Sequence, residues 1–206
     1  SVLLEARAVE YAAWIVHEGG RDRADAFAEV EEAVDYLRYY AAEAERLDAA
    51  QGGSIAPRGV VAVIPPWNFS LAIPCGMTAA ALATGNAVIL KPAEQTPLIA
   101  WRVMALLLEA GVPPDVITCL PGEGAVVGAA LASSPGVAMV AFTGSRAVGT
   151  LLHQVVADVE LPGGAPKALL AEMGGKNAIL VFADADLDEA IEGVIRSAFG
   201  HANQKC

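Results

Sequence analysis

Cysteine is scarce in this chain of 206 residues: Cys75, Cys119 and Cys206 are odd in number and irregularly spaced. With no secretory signal at the start, that pattern favours a reduced, cytoplasmic setting, in which one thiol is a candidate for chemistry, over a disulfide framework. The three histidines, His17, His153 and His201, form no ligand spacing. The aspartates at 184, 186 and 188 lack the glycine and terminal glutamate of a calcium loop, so no metal is expected and acidic N-capping of a helix over Leu187 to Phe199 is preferred. Positive charge is short too. With 13 Lys and Arg against 24 Asp and Glu, the formal net charge is −11, which repels a phosphate backbone and argues against a nucleic-acid partner. The stretch from Gly59 to Leu90 carries no charge, but Pro65, Pro66, Pro74 and Gly85 interrupt it, so no integral membrane segment is expected.

What is present suits an α/β protein: 55% hydrophobic residues, 20 Gly and 12 Pro. Apolar positions at Phe27, Val30, Val34, Leu37, Ala41 and Ala44 step by three and four, which predicts a long amphipathic helix from Ala24 to Leu47. Leu3 to Val16 reads as an earlier helix, and Gln51-Gly52-Gly53-Ser54 as the connector that ends this helical region. Beyond it, short apolar runs alternate with helix-length segments. The runs are Val60 to Ile64, Ala87 to Leu90, Val116 to Leu120, Val137 to Phe142, Ala168 to Ala171 and Ile179 to Phe182. The segments between them are Leu71 to Thr84, Leu98 to Ala110, Gly124 to Ala132 and Arg146 to Val156. This alternation predicts a Rossmann-like parallel sheet with flanking helices, whose ligand lies beyond the carboxyl ends of the strands.

Each post-strand segment admits a chemical and a plain reading. Asn68, after the Pro65-Pro66-Trp67 turn, has an amide donor suited to an oxyanion, or is a turn residue. Lys91 and Glu94 could hold ribose hydroxyls, or form a solvated ion pair. Gly122, Gly124 and Gly128 only partly match the dinucleotide glycine fingerprint, since the third falls one residue late. Gly144 and Ser145 open a helix whose free N–H groups favour a phosphate, or simply cap it. Glu172, before Gly174-Gly175, could be a general base or part of a turn. Cys75 and Cys119 read as small buried apolar residues.

In order along the chain, PPWNFS, KPAEQTP, FTGS, AEMGGKN and SAFGHANQKC closely resemble the successive motifs of the aldehyde dehydrogenase superfamily. The resemblance covers almost the whole chain. LRYYAAEAE, KPAEQTPLIA, EAGVPPDVI and QKC are most similar to its Δ1-pyrroline-5-carboxylate (glutamate γ-semialdehyde) dehydrogenase branch. The short link from Leu47 to Arg58 resembles the module of bifunctional proline-utilisation enzymes. The resemblance implies NAD as cofactor, an aldehyde as substrate, and three catalytic residues. Cys206 would be the nucleophile, Asn68 the oxyanion donor and Glu172 the base that activates the hydrolytic water. It also implies that Lys91 and Glu94 bind the adenosine ribose and that Pro66, Trp67, Gly124, Gly144 and Ser145 contribute to the cofactor cleft. A carboxylate at the ribose disfavours a 2′-phosphate, hence NAD over NADP.

The expected layout is an N-terminal helical part (1–56), a cofactor-binding domain (57–172) and the start of a catalytic domain (173–206). On this reading the fold is incomplete, the chain alone is inactive, and the complete enzyme is a homo-oligomer. Three positions depart from the family pattern. Asn203 replaces a glycine, Ser70 replaces a proline, and the hairpin before the PRG sequence is absent. A CoA-acylating relative and a noncatalytic dinucleotide-binding module are the competing readings; the combination of Asn68, Glu172 and Cys206 favours the hydrolytic enzyme.

Overall fold

The computed structural model describes residues 1–53 and 56–205. Cys206, and Ser54 of the expected connector, lie outside the described residues. Five strands form one parallel sheet: β1 (Val60–Ile64), β2 (Ala87–Leu90), β3 (Ile117–Cys119), β4 (Met139–Gly144) and β5 (Ala168–Met173). Their order is β3-β2-β1-β4-β5. The chain therefore winds outward from β1, then crosses back to place β4 on the other side of β1, which makes the β1/β4 boundary the switch point of the sheet.

Side chains alternate across these strands, and both faces are covered. Val61, Val63, Val88, Leu90 and Ala141 join one apolar cluster with α2 (Ala8–Gly19), α3 (Arg23–Gln51), α4 (Ala72–Ala83) and α5 (Pro97–Glu109). Ala62, Ile64, Val140 and Phe142 join another, with α6 (Ala129–Ser133) and α7 (Arg146–Ala157). Val63 and Leu90 have no solvent exposure; complete burial of such a side chain contributes roughly 1.5–3 kcal/mol.

Helix boundaries follow local chemistry. Asp22 caps α3 by accepting the Asp25 N–H at 2.8 Å, and Gly52, at φ 61°, ends it in a left-handed turn. Val30 and Val34 are buried as their spacing predicts, but Phe27 is exposed, because the buried stripe of α3 runs through Ala26, Glu29, Val30 and Ala33 instead. The single helix expected over Leu3 to Val16 is two: α1 (Val2–Ala6) and α2, separated at Arg7, whose guanidinium reaches both carboxylate oxygens of Glu109. The segment expected as helix from Gly124 opens as a π-helical turn (Gly124–Gly128) before α6.

One expected strand is absent among the described residues. Ile179 to Phe182 pairs with no strand there, and all four side chains are exposed. The helix that follows, α8 (Leu187–Phe199), has the expected bounds and is capped by Asp186 through the N–H groups of Asp188 and Glu189. Cys75 is buried as expected, and burial pushes its thiol up to about 12, whereas Cys119 is only half-buried.

Candidate active site

A cleft of about 440 Å³ opens at the switch point, beyond the carboxyl ends of β1 and β4. Pro66, Trp67, Asn68, Gly144 and Ser145 all line it, together with Met173, Gln204 and Lys205. The turn after β1 thus faces the N-terminus of α7. Ser145 caps that helix, accepting the Val148 N–H at 3.3 Å, and the other first-turn N–H groups give this end of the cleft a partial positive charge. Met173 closes the cleft against Gly149 of α7, where an added Cβ would fall 2.5 Å from the Met173 sulfur. A side chain at Gly149 would therefore push the flexible Met173 side chain aside and reshape this wall of the cleft.

A second group sits at the ends of β2 and β3. Lys91 is 3% exposed, and burial lowers the pKa of its ammonium while nearby Glu94 opposes the shift. Glu94 accepts the N–H of Gly124 through Oε1. A Cβ at Gly124 would lie 3.4 Å from that oxygen and 3.9 Å from Lys91 Nζ, so the glycine keeps a narrow gap between the two charged groups. Lys91, Glu94 and Gly124 therefore meet in space.

Asn68 is tied to the segment that leads to Cys206. Its Nδ2 donates to the Gln204 carbonyl at 2.5 Å. Its own carbonyl accepts from Arg21 Nη2 at 2.5 Å and lies 3.3 Å from His201 Nε2. His201 stacks on Phe69 with ring centres 4.5 Å apart, and its Nδ1 lies 3.3 Å from Asp25. The backbone here is left-handed at His201, Ala202 and Asn203, with φ of 56°, 49° and 57°; such a run in non-glycine residues is strained.

Glu172 lies elsewhere. It pairs in register with Thr143, and its side chain lines a hollow of about 350 Å³ with Tyr36, Tyr40 and Met77. Strand alternation sends Met173 into the first cleft and Glu172 to the opposite face, although both cavities share Ile73, Phe142 and Thr143. The relation of Glu172 to Cys206 falls outside the described residues.

Arg21 and His201 were not singled out from the sequence as site residues. Arg21 sits in the short link between α2 and α3 and reads locally as a surface charge, and His201 has no ligand spacing. The one available signal was the position of His201 close before Cys206. Among the described residues there is no cluster suited to a metal ion, and no helix is long and apolar enough to cross a membrane.

Parallel strands wound about a switch point, with a capped helix N-terminus and an amide donor in the crevice, define an α/β domain of the nucleotide-binding kind. The match to known proteins is more specific: residues 1–206 match the aldehyde dehydrogenase family, and the chain belongs to it. The bifunctional protein PutA of Klebsiella aerogenes is 48% identical over 206 residues, covering 100% of this chain and 16% of that protein. The 1-pyrroline-5-carboxylate dehydrogenase 1 of Halalkalibacterium halodurans is 40% identical over 218 residues, covering 100% of this chain and 42% of that one. The crystal structure of the Thermus 1-pyrroline-5-carboxylate dehydrogenase with bound NAD superposes with a TM-score of 0.92 at 38% identity, over 100% of this chain and 42% of that one. The chain thus spans well under half the length of these relatives.

Proposed function

We propose that this chain is the cofactor-binding portion, and the start of the catalytic portion, of a cytoplasmic NAD-dependent dehydrogenase that oxidises L-glutamate γ-semialdehyde to glutamate in proline catabolism. The observation that carries this reading is the Asn68 amide, which donates into the 204–205 segment inside the switch-point cleft. An amide held there is suited to stabilise charge on an oxygen bound next to Cys206. The layout 1–56, 57–172 and 173–206 is retained on this reading, and the complete enzyme is a homo-oligomer.

The cleft suits the dinucleotide. The α7 N-terminus with Gly144 and Ser145 would face the pyrophosphate, Pro66 and Trp67 would form the opposite wall, and Lys91 and Glu94, beside Gly124, would hold the adenosine ribose. When bound, NAD supplies the acceptor for the hydride. The Cys206 thiolate forms a C–S bond to the aldehyde carbon, and the carbonyl electron pair moves to oxygen, where Asn68 Nδ2 donates to it. Loss of hydride from that carbon leaves a thioester on Cys206. Glu172, reaching over from the adjoining hollow that shares Ile73, Phe142 and Thr143 with the cleft, would remove a proton from the water that attacks it, and the C–S bond breaks to release the acid and restore the thiolate. The isolated chain of 206 residues is inactive on this reading.

In the longer polypeptide that contains this chain, Asn68→Ala should lower kcat about 10²–10³-fold. Glu172→Gln should leave the first burst of NADH intact and slow the turnover after it. A wild-type polypeptide that forms no NADH from the semialdehyde sinks the reading, and equal efficiency with NADP sinks the NAD preference.

A further inference from the structure

Three segments distant in sequence meet at one buried guanidinium. Arg21 is 6% exposed. Its Nη2 donates to the main-chain carbonyl of Asn68 at 2.5 Å and its Nη1 to that of His201 at 3.2 Å. One planar group therefore bridges the turn that carries the oxyanion amide and the segment that leads to Cys206. A guanidinium suits this task, because its donors diverge in a fixed fork and reach two acceptors with one orientation. His201 closes the arrangement from the other side, with Nε2 3.3 Å from the same Asn68 carbonyl, Nδ1 3.3 Å from Asp25, and the ring stacked on Phe69. Arg21 itself lies 6.0 Å from the Trp67 ring.

We infer that Arg21, with His201, is a positioning clamp that sets the distance between the Asn68 amide and the nucleophile segment. The inference rests on the dehydrogenase reading above. Fixing the Asn68 carbonyl fixes the peptide plane and hence the Cα–Cβ direction from which the amide reaches Gln204, and fixing the His201 carbonyl restrains the left-handed turn over His201 to Asn203. That turn is strained and would relax without an external partner. Arg21 acts through Asn68 and touches neither substrate nor cofactor, so its removal should alter the chemical step and spare cofactor binding.

The experiment is a double-mutant cycle in the longer polypeptide, using Arg21→Met, Asn68→Ala and the pair. Arg21→Met should lower kcat about 10–100-fold through misplacement of the oxyanion donor. The Kd for NAD, followed by fluorescence, should stay within about two-fold, because uniform binding is untouched. In the Asn68→Ala background, Arg21→Met should cost clearly less than in the wild type, since the part of its effect that runs through the amide is already lost and only the loosened turn over His201 to Asn203 remains. Arg21→Lys should recover part of the rate, because one ammonium can reach one carbonyl and not both. Where Arg21→Met does not fold, His201→Phe enters the same cycle; it keeps the stack on Phe69 and loses both ring-nitrogen contacts. An active wild-type enzyme in which the two substitutions add independently overturns the clamp alone. A wild-type enzyme that forms no NADH overturns the dehydrogenase reading and the clamp with it.

Discussion

Glu29 lies in the second turn of α3 and is 2% exposed. Its Oε1 accepts the N–H groups of Leu71 and Ala72 at 2.6 and 3.2 Å, at the start of α4, while Oε2 has no hydrogen-bond partner among the described residues. Burial is the largest influence on the group and raises its pKa from 4.5 to about 7, against the two N–H groups and Arg21, which lower it. The folded protein therefore binds this proton more tightly than the unfolded chain. Stability from the protonated acid is fully present below pH 4.5, falls as pH rises from there to about 7, and is flat above. At ~1.4 kcal/mol per pKa unit, the fall amounts to about 3 kcal/mol. Glu29→Gln keeps an acceptor for Leu71 and Ala72 but cannot ionise, so the slope should vanish. Its new amide N–H₂ meets the same unpartnered pocket, which reduces the gain over the parent at about pH 8 to about 2 kcal/mol. Urea denaturation across this range checks it; a parent whose stability does not decline with rising pH defeats the argument. None of this was legible in the run Glu29-Val30-Glu31-Glu32, where only Val30 falls on the apolar stripe and nothing local distinguishes Glu29 from Glu31 and Glu32. The place of Asn68 in the cleft could be anticipated because it directly follows a strand of the parallel sheet, whereas the burial of Glu29 arises only when residues distant in sequence dock on it.

At the scale of elements, the ends of helices show where local reading succeeds and where it stops. Ser145 and Asp186 could be read as caps because an N-cap is a contact over two or three residues. The strand expected over Ile179 to Phe182 had the right local composition, but a strand exists only with a partner, and pairing is not written in the run itself. The C-terminus of α6 is satisfied from far away. Lys167, at the entry to β5, donates from Nζ to the carbonyls of Leu131, Ala132 and Ser134 at 2.8, 2.6 and 3.0 Å. Burial lowers the pKa of that ammonium, yet it meets three acceptors at the negative end of a helix. Lys167→Met has similar length and leaves those carbonyls without this donor. It should cost about 2–4 kcal/mol, since charged hydrogen bonds are lost and buried acceptors are left unpaired. Thermal denaturation at neutral pH should show a clear drop in Tm, and an unchanged Tm would mean that water replaces the ammonium at no cost. The site of Lys167 in the sequence, just ahead of an apolar strand, gave no hint that α6 was its partner.

For the whole molecule, the distribution of apolar surface is uneven. The sheet and α2 to α5 bury their apolar faces, but α8 buries none of its residues: Leu187, Ile191, Ile195 and Phe199 are all more than half exposed. Their spacing of four places them on one face, and Ile179 to Phe182 adds four more exposed apolar side chains close by in sequence. A continuous apolar stripe on a capped helix, exposed among the described residues, has few contacts to resist local opening. The chain taken alone should therefore behave as two regions of different stability. Amides of β1, β2 and β4 should exchange with deuterium only on global unfolding, and those of α8 should exchange orders of magnitude faster. The same surface should bind a hydrophobic dye and drive self-association. Ile191→Glu with Ile195→Lys should reduce both and leave the protection of β1 and β4 unchanged, because α8 contributes nothing to the two apolar clusters of the sheet. In any longer polypeptide that contains this chain, a segment packed on this stripe would slow exchange in α8 toward that of the sheet, and the same pair of substitutions would then be destabilising. Slow exchange in α8 of the isolated chain, matching that of β1, would overturn this account of where its stability resides.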